Sequence, residues 1–326
     1  MSNRALIFGI TGQDGAYLAE WLLAQGYEVH GASPGPRDPE PGLCSEWRDR
    51  VTMHEADLVD QASITQAVRA ARPREVYNLA AQSFVPMSWT HPTLTADITG
   101  LGAVRVLEAV RQVDSAIRVF QASSSEIFGN SPKAPQDEST PLNPRNPYGA
   151  AKAYAHAMVR AYREQHGLFA ASGILYNHES PRRGLGFVTR KITDGAARIK
   201  LGLAKDLHLG NLDGQRDWGH ARDFVRAMWL MLQQDTADDF VIATGTRHSV
   251  RDCCELAFAH LGLDYNEFVV TDPKFVRVGE GPALVGDASK ARAQLGWEPS
   301  TSFEDMIREM ADFDLARLER EMPSRA

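Results

Sequence analysis

The chain has 326 residues, enough for one large or two medium domains at roughly 100–200 residues each. Hydrophobic residues make up 43% and charged residues 24%, average values for a globular protein, so a disordered, fibrous or mucin-like chain is excluded. With 35 Lys and Arg against 42 Asp and Glu, the formal charge is −7, and no basic cluster offers the footprint a phosphate backbone needs; no nucleic-acid partner is expected.

No apolar run reaches the length of roughly 18 residues that spans a bilayer, so no membrane partner is expected. The brief apolar start, Met1 to Phe8, runs straight into Gly9, Gln13 and Asp14, which is no signal-peptide core; a cytoplasmic protein is expected. Cys44, Cys253 and Cys254 form neither an even disulfide framework nor a zinc spacing. They read as reduced thiols, and no metal is expected.

In chain order, Ala5 to Phe8 reads as a buried strand and Ala16 to Gln25 as the helix after it, closed by Gly26. Tyr27 to Gly31 is a second strand, followed by a loop-like stretch, Ser33 to Gly42, with four prolines and two glycines. Strands over Val51 to Glu55, Glu75 to Leu79 and Arg118 to Ala122 alternate with helices near Ser63 to Ala71 and Gly100 to Gln112. This alternation predicts an α/β fold with a Rossmann-like, doubly wound parallel sheet. After Asn177 it breaks down, with Pro181, Gly184, Gly186 and Gly202 punctuating mixed segments. A helix over Asp223 to Gln233 and a strand over Phe240 to Ala243 return to the sheet. Helices over Val250 to Leu261, Ala288 to Leu295 and Phe303 to Leu318 complete a smaller mixed α/β unit. The expected division is a sheet-bearing domain, 1–176 and 217–246, and a substrate domain, 177–216 and 247–326.

Gly9, Thr11, Gly12, Gln13, Asp14 and Gly15 lie in a glycine-rich turn between the first strand and its helix. Such a turn lets the backbone approach a pyrophosphate that the amides of the helix N-terminus then bind. Its spacing is G-x-x-G-x-x-G, not the commoner G-x-G-x-x-G. The second strand ends without the acid that binds the ribose of NAD, and the next basic residue is Arg37, which tilts the cofactor towards NADP with NAD not excluded. Asp57 and Leu58, after the third strand, could reach the adenine, or Asp57 could cap a helix.

Tyr148 and Lys152 are four residues apart where a helix starts after Pro147, so both side chains share one helical face. A neighbouring ammonium lowers a tyrosine pKa and fits it to exchange a proton with a substrate alcohol while hydride moves to a nicotinamide. Upstream, Ser124, Ser125 and Glu126 follow a strand and should sit at the carboxyl edge of the sheet, where ligands bind. An alcohol dehydrogenase needs a hydroxyl, a Tyr and a Lys; the additional Glu126 carboxylate suggests a second proton transfer.

Together these residues resemble the extended short-chain dehydrogenase/reductase family, and within it the GDP-mannose 4,6-dehydratases. The resemblance covers nearly the whole chain: the 9–15 turn, Asn78 to Ser83, Ser124 to Glu126, Tyr148 with Lys152, Asn177-His178-Glu179-Ser180-Pro181-Arg182-Arg183-Gly184, Phe187 to Lys191, and Arg216 to His220. It implies an internal redox dehydration of a GDP-sugar. Tyr148 would take the 4-hydroxyl proton, with Ser124 on the same oxygen, and Lys152 would hold the nicotinamide ribose. Glu126 would remove the carbon 5 proton. The resemblance assigns Leu79, Ala80, Ala81, Ser83, His178 and Arg183 to the cofactor. To the nucleotide sugar it assigns Ser83, Asn177, Val188, Lys191, Arg216, Arg277 and Glu280, and it implies a homodimer or homotetramer.

The chain departs from the family at Ser124, where Thr is usual, at Pro34-Gly35 in place of Arg-Arg, at Leu94 in place of Tyr, and over Val278 to Pro282. Alternatives are a dehydratase of another GDP-sugar, such as a GDP-manno-heptose, and a catalytically silent NADP-binding homologue. A 4-keto reductase of this fold has no use for Glu126.

Overall fold

A computed structural model describes residues 3–35, 47–275 and 284–322. Among these the strands are, in chain order, β1 (Arg4–Phe8), β2 (Glu28–Ser33), β3 (Thr52–Glu55), β4 (Glu75–Asn78), β5 (Arg118–Ala122), β6 (Ala170–Leu175), β7 (Asn177–Glu179), β8 (Leu207–Leu209), β9 (Gln215–His220), β10 (Asp239–Ile242), β11 (Arg247–Ser249) and β12 (Val269–Thr271). The main sheet has seven parallel strands in the order β10-β6-β5-β4-β1-β2-β3. The strand order reverses between β1 and β4, and a doubly wound sheet opens a ligand crevice beyond the carboxyl ends of its strands at such a point.

Continuous apolar runs form these strands because both faces of the sheet are covered. Ala5 and Ile7 of β1 enter one core with Tyr77, Phe120 and Ala171. Leu6 and Phe8 enter the opposite one with Val76, Val119 and Ala170. Helices over Gln61–Ala71 and Gly102–Val113 pack on the second face, and those over Gln13–Ala24 and Ala221–Leu232 on the first. A third core gathers Ile192, Ala196, Trp218, Phe258, Met306 and Met310 from β9 and the helices Val188–Lys200, Val250–His260 and Phe303–Glu321. Cys253 and Cys254 are fully buried in it. Beside it run a three-stranded sheet, β11-β9-β7, and a two-stranded one, β12-β8.

The structure differs from the sequence reading in a few places. The first helix starts at Gln13, not Ala16, because the turn after β1 closes within Gly9 to Gly12. A π-helical stretch, Ala96–Leu101, precedes the helix expected from Gly100. Asp60, not Asp57, caps the Gln61–Ala71 helix; Asp57 accepts the Val59 amide in the preceding turn. Within the stretch 247–326, Leu284, Ala288, Ala291, Leu295 and Trp297 pack into the core of the large sheet, and Trp297 Nε1 donates to Asp223 O at 2.8 Å. Of the expected Ser33 to Gly42 loop, Ser33 ends β2 and Pro34 and Gly35 follow; the rest lies outside the described residues, as does Cys44. No helix among the described residues is long and apolar enough to cross a membrane.

Candidate active site

A cleft of about 790 Å³ opens where the strand order reverses, floored by the turn after β1. Gly9 has φ +82°, and a Cβ there would lie 2.8 Å from Ala80 N in the segment after β4. A Cβ at Gly15 would lie 2.3 Å from Gly9 O, so the first helix starts hard against the turn. Gly12 is the N-cap and supplies no side chain, which leaves the first-turn amides uncapped for an anion.

Asp14, in that first turn, is paired across the cleft with His178 of β7, Oδ2 to Nε2 at 2.8 Å. Burial opposes ionisation of both. The Coulombic attraction and hydrogen bond between them prevail, so Asp14 titrates below and His178 above its ordinary value. His178 Nδ1 donates to Tyr176 O at 2.7 Å, and its ring stacks on Phe224. Gln13 Nε2 donates to His178 O at 3.1 Å, and Gln13 Oε1 accepts from Ser180 Oγ at 2.7 Å.

The facing wall comes from the end of β5 and the Pro147–His166 helix. Asn146 caps that helix, its Oδ1 accepting Gly149 N at 2.7 Å, and Pro147 occupies the first turn, where its missing N–H is harmless. Tyr148 and Lys152 therefore lie one turn apart on the buried face, 9% and 2% exposed. Ser124 is hydrogen-bonded to Tyr148 and accepts Glu126 N at 3.2 Å. Glu126 Oε2 accepts from Asn146 Nδ2 at 2.7 Å. Lys152 Nζ donates to Ala122 O at 2.7 Å and lies 5.8 Å from the centroid of the Tyr148 ring.

One expectation is corrected here. Burial pushes Tyr148 up to about 12, against the lowering effect of its Ser124 hydrogen bond and of Arg183. The Lys152 ammonium donates to the Ala122 carbonyl, and burial brings it down to about 8.

The cleft brings together Gly9, Thr11, Gly12, Gln13, Asp14, Gly15, Asp57, Leu58, Leu79, Ala80, Ala81, Ser83, Ser124, Glu126, Tyr148, Lys152, Asn177, His178, Arg183 and Arg216. Leu94 lines it too. Val188 and Lys191 do not: Lys191 Nζ donates to His208 O at 2.6 Å and sits 3.8 Å from the Phe275 ring centroid. Arg37, Arg277 and Glu280 lie outside the described residues.

Sequence reasoning missed Phe84 and Phe187, which meet edge to face at 5.7 Å across the mouth, with the Arg183 guanidinium 3.6 Å above Phe187. It also missed Asn146, whose Asn-Pro signature marks a helix start but not the contact with Glu126. The residues present fit a dinucleotide. Two glycines hold backbone against backbone, the helix N-terminus is uncapped, and Ser123 Oγ in the cleft wall is buried without a hydrogen-bond partner. An unpaired buried hydroxyl costs about 1–3 kcal/mol, which a ligand hydroxyl or amide would recover.

The sequence profile of the family described as GDP-mannose 4,6 dehydratase matches residues 6–310. The chain belongs to this family. GDP-mannose 4,6 dehydratase 2 of Arabidopsis thaliana is 48% identical, over 97% of this chain and 88% of its own length. GDP-mannose 4,6 dehydratase of Homo sapiens is 45% identical over 97% and 92%. The UDP-glucose 4-epimerase of Thermus thermophilus, solved with NAD, superposes with a TM-score of 0.83 at 27% identity, over 95% of this chain and 98% of its own. The family thus shares its α/β, Rossmann-like architecture with sugar-nucleotide epimerases.

Proposed function

We propose that the protein converts GDP-mannose into GDP-4-keto-6-deoxymannose and water, with a bound nicotinamide dinucleotide that is neither consumed nor produced. The observation that carries this reading is the convergence of Ser124, Glu126, Tyr148 and Lys152 on one wall of a cleft whose floor is the glycine turn. A nicotinamide held by the glycine turn and this wall would supply the hydride chemistry, oxidation at carbon 4 of the hexose and reduction at carbon 6. Tyr148 would accept the proton of the 4-hydroxyl as the phenolate, a form that the positive charge of an oxidised nicotinamide ring would favour against burial, and Ser124, hydrogen-bonded to Tyr148, would hold the same oxygen. Lys152, buried one helical turn away, contributes a donor for the nicotinamide ribose.

The carbon 4 carbonyl acidifies the hydrogen on carbon 5. Glu126 takes that proton, and the C–H electron pair becomes an enolate. The C6–O bond then breaks, and the departing hydroxide leaves as water with the proton returned by Glu126. A proton from solvent then adds at carbon 5 as carbon 6 is reduced, and Tyr148 releases the 4-hydroxyl proton to solvent, so the sum is the loss of one water. Arg216, at the edge of the cleft, supplies positive charge for the diphosphate.

NADP is the dinucleotide of this reading. β2 ends on Ser33, and among the described residues Ser33 and Pro34 line the cleft at the strand tip, where a dinucleotide site that selects NAD would carry a carboxylate for the ribose 2′-hydroxyl. Residues 1–176 and 217–246 form the dinucleotide part and 177–216 with 247–326 the nucleotide-sugar part, with Leu284 to Trp297 packed on the former. A homodimer or homotetramer belongs to the same reading, supported by the exposed Trp89, Leu94, Leu101 and Tyr154 on neighbouring helical segments.

The test is incubation with GDP-mannose and NADP⁺ in deuterated water, read by mass spectrometry and NMR. Loss of one water, deuterium at carbon 5 and no net reduced cofactor are expected. GDP-mannose returned untouched by folded, cofactor-loaded protein would overturn the reading.

A further inference from the structure

Glu126 is held through both its backbone and its side chain. Its amide donates to Ser124 Oγ at 3.2 Å, and its carboxylate Oε2 accepts from Asn146 Nδ2 at 2.7 Å. Its carbonyl is pressed against the first turn of the next helix, where a Cβ on Gly149 would lie 2.6 Å from Glu126 O. Asn146 is 8% exposed, and both ends of its amide are in use. Oδ1 accepts Gly149 N at 2.7 Å, while Nδ2 donates to Glu126. One end needs an acceptor and the other a donor, so the amide cannot turn over without losing both bonds. Tyr148 stands two residues further along the helix that Asn146 caps. A single buried side chain therefore fixes the direction of the Glu126 carboxylate relative to Tyr148.

We propose that Asn146 is a positioning residue for the elimination half of the reaction. It engages Oε2 of Glu126 and leaves the other oxygen to take the carbon 5 proton and to return it to the departing hydroxide. The inference rests on the dehydratase reading above. Proton transfer needs the base within hydrogen-bond reach of the carbon, and a small misplacement of a reacting group slows such a step by about a hundredfold. The oxidation at carbon 4 runs through Tyr148 and does not use the Glu126 carboxylate. Asn146 therefore governs the second half and leaves the first alone.

The variant that isolates this is Asn146→Ser. Serine caps a helix about as well as asparagine, so the Pro147–His166 helix is kept. Its hydroxyl is too short to cap Gly149 and also reach Glu126. In a single turnover with GDP-mannose and NADP⁺ in deuterated water, reduced-nicotinamide absorbance should rise within about twofold of the wild-type rate. It should then decay some ten- to a hundredfold more slowly, with deuterium at carbon 5 delayed by the same factor. Cofactor affinity by fluorescence titration and the melting temperature should match the wild type. Asn146→Ala, which loses the cap as well, should melt lower and show the same accumulation.

A wild-type rise and decay in Asn146→Ser overturns the proposal, as does equal slowing of both phases. So does accumulation in Asn146→Ala alone, which would assign the effect to the helix cap. A wild-type enzyme that forms no product overturns the dehydratase reading itself. An active wild type with an unaltered serine variant overturns only the role of Asn146.

Discussion

Tyr148 and Lys152 are both nearly out of water, and removal of water penalises whichever form carries charge. For Lys152 that form is the ammonium, held at about 8 against an ordinary 10.5. Between these values the unfolded chain binds a proton the folded one has released, so stability rises with pH there, and below about 8 the full penalty is present. Lys152→Met should raise stability at pH 7 by roughly 2–3 kcal/mol while abolishing turnover. Urea unfolding of both proteins checks this, and the gain should shrink as pH rises towards 10.5. A gain that stays constant with pH would refute the argument. Tyr148 opposes this slope only above pH 10, where the unfolded phenol ionises and the folded one, raised to about 12, does not. Its proposed role has its own check. Tyr148→Phe keeps the ring and removes the hydroxyl, so turnover should fall about a thousandfold with no transient reduced-nicotinamide absorbance. A surviving transient would mean that another group takes the proton.

At the level of elements, the turn between β1 and its helix has no space for side chains. A Cβ at Gly15 would meet Gly9 O at 2.3 Å and Ile10 Cα at 2.4 Å, backbone atoms that cannot swing aside. Gly15→Ala should therefore destabilise the fold by about 2–4 kcal/mol and abolish dinucleotide binding. Thermal melting with and without NADP⁺ checks this: an unshifted melting temperature, or stabilisation by cofactor equal to wild type, would count against it. That turn was legible because strand, glycines and helix are consecutive in the chain. The long strands were legible for a related reason, since β1 and β5 are buried on both faces and read as apolar runs. β7, β11 and β12 have three residues each, too few for any alternation to register. The contact of Asn146 with Glu126 was equally hidden. It joins a helix cap to a residue 20 positions earlier, and only the fold brings them together. Tyr148 and Lys152 showed their shared face through helical spacing, but their titration depends on burial, which spacing does not report. Val188 and Lys191 were placed by resemblance alone, and Lys191 turns to the His208 carbonyl.

Across the whole molecule, the two sides of the cleft are tied by charged pairs as well as by the chain. Arg182 of the segment after β7 reaches Glu20 of the first helix at 2.6 Å, and Arg222 reaches Glu309 of the Phe303–Glu321 helix at 3.0 Å. The deepest tie is Asp14 with His178, which joins the first helix of the large sheet to the three-stranded sheet. Its effect on stability has a definite pH window. His178 is raised, so its contribution is complete below 6.5 and lost as pH climbs through the folded value. Asp14 is lowered, so its contribution is complete above 3.8 and lost as pH falls through its folded value. The tie is therefore fully formed between 3.8 and 6.5 and loosens on the alkaline side as His178 gives up its proton. Asp14→Asn should cost on the order of 2 kcal/mol inside that window and progressively less above it, because the imidazole can turn neutral once its partner is gone. With Asp14 removed, burial and Arg183, which lower His178, are opposed by the hydrogen bond to the Tyr176 carbonyl; burial is the largest of the three, so the NMR titration midpoint should drop from above 6.5 to below. If the midpoint stays where it is in the wild type, His178 is not held charged by Asp14, and the cleft is closed by packing alone.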